Sequence, residues 1–93
     1  MSAKSVRVRI TGRVQGVWYR GWTVDQARGL GLSGWVRNRR DGSVEAVFAG
    51  TAAAVDDMLA RCREGPSAAR VDDIAVAPAA PPAGVEFRQL PTE

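Results

Sequence analysis

The sequence predicts an α+β sandwich in the order β-α-β-β-α-β: one antiparallel sheet, two helices on one face and a short extra C-terminal strand. Three observations predict it. Val6, Val8 and Ile10 alternate with Arg7, Arg9 and Thr11, as in a strand with one wet face. Val55, Met58, Leu59 and Cys62 recur at i, i+3, i+4 and i+7, the spacing of a helix with one apolar stripe. Asp41-Gly42 joins two alternating runs, which signals a hairpin.

The first strand is read over Ser5–Arg13, and Gly12 to Gly16 breaks its pattern. A helix is predicted from about Arg20 to Leu30, because Tyr19, Trp22, Gln26 or Ala27, and Leu30 fall at helical spacing; Gly31 is its expected stop. Two strands follow, Ser33–Arg40 and Ser43–Gly50. A two-residue loop between them would put Arg37 and Arg39 on the face of Val44, Ala46 and Phe48. A three-residue loop with Gly42 in a left-handed bulge pairs Arg39 with Ser43 instead. Val36, Asn38, Val44, Ala46 and Phe48 then share a face and Arg37 sits opposite Glu45. The second register segregates apolar from charged residues and is preferred.

Thr51 is a candidate N-cap for the second helix, Ala52–Arg63. Asp56 and Asp57 in its first half and Arg61 and Arg63 in its last turn suit the helix dipole. Gly65-Pro66 ends it. Val71–Ala77 reads as a strand marked by Ile74 and Val76, and the proline-rich Ala77–Gly84 as a loop. Val85–Leu90 is the last short strand, and the tail Pro91–Glu93 is expected to fray. This order is that of a ferredoxin-like sandwich, a fold that hosts many functions and decides none of them.

Composition narrows the chemistry. Ninety-three residues fit one domain, residues 1–93. No run of 18 apolar residues exists, so no membrane helix is expected, and the alternating start MSAKSVRVRI does not read as the centre of a signal peptide. A cytoplasmic location is therefore expected. There is no histidine, which removes histidine triads, histidine acid–base catalysis and the usual zinc enzymes. The single cysteine, Cys62, excludes an internal disulfide and falls on an apolar stripe, so it is read as core. The acidic residues are dispersed, and neither a metal nor another cofactor is expected. Net charge is +3, mild for a nucleic-acid binder, and 12 of the 13 basic residues are arginine. That bias also follows from genome composition, as the 15 alanines suggest. Trp22 is placed in the core and Trp35 on the outward face beside Arg37. No surface patch demands an oligomer, and a monomer is expected.

Two segments carry candidate chemistry. Gly12-Arg13-Val14-Gln15-Gly16-Val17-Trp18-Tyr19-Arg20 connects a strand to a helix. Its glycines free the backbone, and amides at a helix start point outward at the positive end of the dipole, so such a loop can cradle a phosphate. Arg20 can add a bidentate contact. An ordinary strand–helix turn with a solvated arginine is the plain alternative. The second segment, Gly34 to Val44, places Asn38 on the core side of a strand, where its amide must find a partner or face a cleft. A turn-adjacent asparagine bonded to backbone is its plain alternative.

At these segments the chain closely resembles the acylphosphatase family, enzymes that hydrolyse acyl phosphates to a carboxylate and phosphate. The signature G-x-V-Q-G-V-x-[FY]-R reads as Gly12 to Arg20 without a mismatch, and the second signature spans Gly34 to Gly50, including Asn38, Gly42 and Val44. The resemblance implies that Arg20 binds the substrate phosphate and that Asn38 orients the attacking water. It also implies that the amides of Gln15, Gly16, Val17, Trp18 and Tyr19 complete the cradle. Arg39 departs from the threonine frequent at its position, and Trp18 occupies a variable one. The expected partner is a small-molecule acyl phosphate, with no nucleic acid. A non-catalytic phosphate or nucleic-acid binding module on the same fold is the competing reading.

Overall fold

Residues 2–93 are described by a computed structural model. Its elements are β1 (Ala3–Arg13), α1 (Tyr19–Gly29), β2 (Ser33–Asn38), β3 (Val44–Thr51), α2 (Ala52–Glu64), β4 (Arg70–Pro78) and β5 (Phe87–Gln89). The sheet order is β4-β1-β3-β2-β5. Both helices lie on one face, α2 over β1, β3 and β4 and α1 over β2 and β5. The strands' alternation delivers Val6, Val8, Ile10, Val36, Ala46 and Phe48 to the buried side. The helices answer with Val24, Ala27, Val55, Met58 and Cys62.

The caps match their residue types. The Thr51 hydroxyl accepts from the Ala54 amide at 3.1 Å, an N-cap that starts α2 one residue after the strand ends. At the end of α1, Gly31 has φ 70°, the Gly31 amide donates to Arg28 O and the Leu32 amide donates to Ala27 O. This paired closure satisfies two last-turn carbonyls and needs a left-handed residue.

The hairpin takes the three-residue turn. Asn38 pairs with Val44, Arg37 with Glu45 and Val36 with Ala46. The Arg39 amide donates to Ser43 O at 2.8 Å and Gly42 has φ 95°. Arg37 and Trp35 lie on the open face, the guanidinium 4.8 Å from the ring centre.

Three expectations need correction. The sheet is mixed, because β5 runs parallel to β2. Topology dictates this. β1 and β2 are each antiparallel to β3, hence parallel to one another, and β4 is antiparallel to β1. So β4 ends where β2 begins, and the proline-rich loop crosses that end of the sheet and enters β5 in β2's direction. β5 is also shorter than expected; Val85 stays in the loop at 88% exposure. The tail does not fray: the Leu90 amide donates to Val36 O at 2.9 Å and the Glu93 amide to Asn38 O at 3.0 Å, continuing the parallel ladder past Pro91. Smaller differences are local. Val76 is on an edge strand and 44% exposed, and Trp22 packs against the core only in part.

Gly34 shows why the edge closes. Its φ is 134°, and a Cβ there would overlap the Val47 carbonyl oxygen and press on the Phe87 ring. Phe87 is buried and stacks on Phe48 with centroids 5.5 Å apart. Gly34→Ala combines backbone strain with overpacking and is expected to cost about 3 kcal/mol or more. In a thermal melt that is a fall of roughly 12 °C or more; an unchanged midpoint would show that β3 can withdraw at no cost.

Candidate active site

Because β1 and β2 are parallel, their C-terminal ends lie at the same end of the sheet. Val44 pairs with both Ile10 and Asn38, so a single row across the sheet runs Ile10–Val44–Asn38. With strands about 4.8 Å apart, Asn38 sits two strand spacings from Ile10, beside the loop that leaves β1. The sequence-predicted loop and the predicted asparagine are thus brought together by topology.

The loop begins at a bulge. The β1–β4 register shifts between Thr11 and Gly12, where φ is 127° and a Cβ would strike the backbone of Arg70 and Asp72. Gly16 at φ 72° and Trp18 at φ 65° then turn the chain into α1. Trp18 is the N-cap residue and the sole non-glycine with positive φ among the described residues. Such a conformation costs about 1–3 kcal/mol and persists only where its surroundings enforce it. Left-handed residues alternating along a short stretch turn successive amides toward one side, as in an anion-binding nest. The amides of Gln15, Gly16, Val17, Trp18, Tyr19 and Arg20 donate to no group among the described residues. They stand at the positive end of the α1 dipole, with no acidic side chain in the first helical turn to neutralise it.

Tyr19 anchors this end of α1. Its ring is fully buried, packs against Gly65, and its hydroxyl donates to Cys62 O at 2.7 Å, satisfying a carbonyl in the last turn of α2. Burial pushes the Tyr19 phenol far above its ordinary value and the Cys62 thiol up to about 12. Neither is a nucleophile near neutral pH. Cys62 is fully enclosed, as its position on the apolar stripe suggests.

Arg20 is half-buried in the first turn of α1 and has no ion pair or hydrogen bond among the described residues. Asn38 is 8% exposed, and its side-chain Oδ1 is buried with no protein group donating to it. Both groups are uncommitted polar atoms at the same end of the sheet. An unsatisfied buried acceptor costs about 1–3 kcal/mol. Arg39 is engaged elsewhere, 3.4 Å from Glu45. Trp18 is 63% exposed, with its indole folded over Gly21. No group of three or more acidic, cysteine or histidine side chains gathers among the described residues.

The side chain of Gln15 escaped the sequence reading, which counted only its backbone. Its Nε2 donates to Arg39 O at 2.7 Å and to Ser43 O at 2.9 Å. No sequence signal points to acceptors 24 and 28 residues away. The docked Glu93 was also missed, since nothing local marks a tail as a strand.

The acylphosphatase family profile matches residues 6–89. An acylphosphatase of Rhodospirillum rubrum is 62% identical over 89 residues, covering 96% of this chain and 98% of that one. The chain belongs to the acylphosphatase family. Solved structures agree. An acylphosphatase from Coxiella burnetii superposes with a TM-score of 0.90 at 30% identity, covering 95% of this chain and 93% of that one. One from Bacillus subtilis gives 0.88 at 31%, covering 96% and 99%. The ferredoxin-like architecture expected from the order of elements and the enzymatic class implied by the two signatures are therefore both confirmed.

The Tyr19–Cys62 anchor makes stability pH-dependent in one direction. Both groups have folded values above their ordinary ones, so folding favours their protonated forms. The stability this contributes is whole below pH 9.0, the ordinary thiol value, and declines as pH rises towards about 12. The thermal midpoint is expected to start falling near pH 9. In Cys62→Ala the fall should begin about one unit later, where Tyr19 starts to titrate from its ordinary value of 10.0. Identical onsets in the two proteins would show that the thiol is not protected by burial.

Proposed function

We propose that Arg20, the amides of Gln15, Gly16, Val17, Trp18 and Tyr19, and Asn38 divide the work of hydrolysing an acyl phosphate to a carboxylate and inorganic phosphate. The reaction class is that of the family, the roles are those the resemblance implies, and the placement of these groups supports them. The observation that carries it is the placement of the Asn38 carboxamide at the same end of the sheet as six uncommitted amides at the start of α1.

The phosphate dianion seats on the amides at the N-terminus of α1, where dipole and donors favour negative charge. Arg20 grips two of its oxygens. The Asn38 carboxamide hydrogen-bonds a water and holds it in line with the scissile bond. The water oxygen bonds to phosphorus as the bond from phosphorus to the carboxyl oxygen breaks. The carboxylate leaves with the electron pair, and the water's proton passes to a phosphate oxygen. The leaving acid has a pKa of about 4, so no general acid is needed. Phosphoryl transfer is loose, and positioning with electrostatics supplies most of its catalysis. A chain without histidine is equal to this task.

In this reading residues 1–93 form one acylphosphatase-like domain that works as a metal-independent, cytoplasmic monomer on a small-molecule acyl phosphate, without nucleic acid. No helix among the described residues is long and apolar enough to cross a membrane. A binding module that performed no hydrolysis would have no use for an uncommitted acceptor on Asn38.

Hydrolysis of benzoyl phosphate, followed by ultraviolet absorbance in the presence of a chelator, tests the assignment. Arg20→Ala is expected to lose phosphate binding and turnover together, by about 100- to 1,000-fold in rate. Asn38→Ala is expected to keep the fold and inhibition by inorganic phosphate while losing turnover on a similar scale. Wild-type activity that requires a metal, or an Asn38→Ala rate within a few-fold of wild type, would overturn the corresponding role.

A further inference from the structure

We propose that the Gln15 side chain is a positioning residue that fixes the spacing between the amide cradle and Asn38. The inference rests on the roles assigned above and adds a residue that acts through them. A primary amide has two N–H donors, fixed in one plane. In Gln15 both are used, on Arg39 O at 2.7 Å and Ser43 O at 2.9 Å. These two carbonyls frame the mouth of the β2–β3 turn, and each already serves the turn. Ser43 O accepts from the Arg39 amide at 2.8 Å, and Arg39 O accepts from the Gly42 amide at 3.1 Å. A carbonyl oxygen has two lone pairs, so Gln15 takes the second on each. Arg39 is the residue after Asn38. The side chain therefore ties the first half of the site to the strand end that presents the second.

The tie is stiff because its acceptors cannot wander. Asp41 Oδ1 accepts from the Ser43 amide at 2.9 Å and from the Ser43 hydroxyl at 2.6 Å, and the carboxylate also pairs with Arg9. The Ser43 bonds, helped by Arg9, hold the Asp41 carboxyl down to about 2, so this lock keeps its charge at any ordinary pH. From the other edge, the Glu93 amide holds Asn38 O at 3.0 Å. The Ile10–Val44 pair forms the base of a triangle, the loop from Thr11 to Gln15 one arm, and the hairpin end the other. Without the Gln15 bonds the loop would rest on the Gly12 bulge, Tyr19 and the buried Val14 and Val17, with no hydrogen bond to the hairpin among the described residues. The same arrangement leaves the Gln15 backbone amide free for phosphate while its side chain faces the hairpin.

Gln15→Met keeps the length and removes both donors; Gln15→Asn keeps the amide but is one methylene too short to reach. Both are to be assayed beside wild type, Asn38→Ala and the Gln15→Met/Asn38→Ala double variant, with folding checked by thermal melt. A misplacement of about 1 Å costs up to about 100-fold in rate. The expected result is a 10- to 100-fold loss of kcat in both single variants, with inhibition by inorganic phosphate changed less than about threefold. In the Asn38→Ala background the second substitution is expected to add almost nothing, because a positioning effect vanishes with the group it positions. Losses that multiply, or kcat unchanged in a folded Gln15→Met, would overturn the proposal. Backbone ¹⁵N relaxation of residues 15–18 gives a readout independent of turnover: the loop is expected to gain motion in Gln15→Met, and equal order in the two proteins would show that no brace exists. An inactive wild type would sink the reaction assigned above, and the relaxation result would still decide the brace.

Discussion

The three-residue turn over Arg40–Gly42 decides which face every side chain of β2 takes, and the rest of the site follows from that parity. A turn one residue shorter would rotate the strand pairing and send Asn38 to the open face. With Arg39 bonded to Ser43 and Gly42 at φ 95°, Asn38 joins Val36 on the helix side, next to Val44. The same parity sends Arg37 outward, where it lies over Trp35, bonds Glu45 at 2.9 Å and reaches Glu93 at 2.8 Å. Glu45 is only 13% exposed and is ringed by Arg7, Arg37 and Arg39. Cutting away one arginine would leave that carboxylate partly desolvated with fewer partners, so the network reinforces the register even though an isolated surface pair contributes little.

Around this register the loop after β1 keeps a run of backbone amides uncommitted. Other element ends are closed: the Thr51 cap, the paired closure after Leu30, the Tyr19 hydroxyl on Cys62 O. At the loop after β1 the amides are left open, and the one strained non-glycine backbone among the described residues, at Trp18, sits there too. On the proposed roles, stability is given up locally where the substrate would supply the missing contacts. Tyr19 and the Gly12 bulge fix the loop's two ends so that the strain does not relax.

The catalytic reading is economical because the reaction asks for little. A good leaving group needs no acid, and a loose transition state needs donors in fixed places more than it needs a base. In the proposed assignment, rigid backbone amides and one arginine provide that in a chain with no histidine. This also explains why the supporting bonds matter: when catalysis is positioning, whatever holds the loop against the hairpin takes part in it.

The sequence by itself determined most of the local structure. Alternation in β1, the Val55–Cys62 stripe, the Thr51 cap and the Asp41-Gly42 turn are short-range signals, and each element formed within a few residues of its predicted place. The preferred register was legible as well, because only one choice separates apolar from charged residues. The resemblance to the family points to Arg20, Asn38 and the loop amides from sequence alone. Tertiary structure alone decided the rest. Whether β5 runs parallel depends on which end of the sheet β4 reaches, which no window of residues records. The docking of Glu93 on Asn38 and the Gln15 bonds to Arg39 and Ser43 join residues tens of positions apart. Their partners are backbone carbonyls, which every residue carries, so no side-chain pattern could announce them.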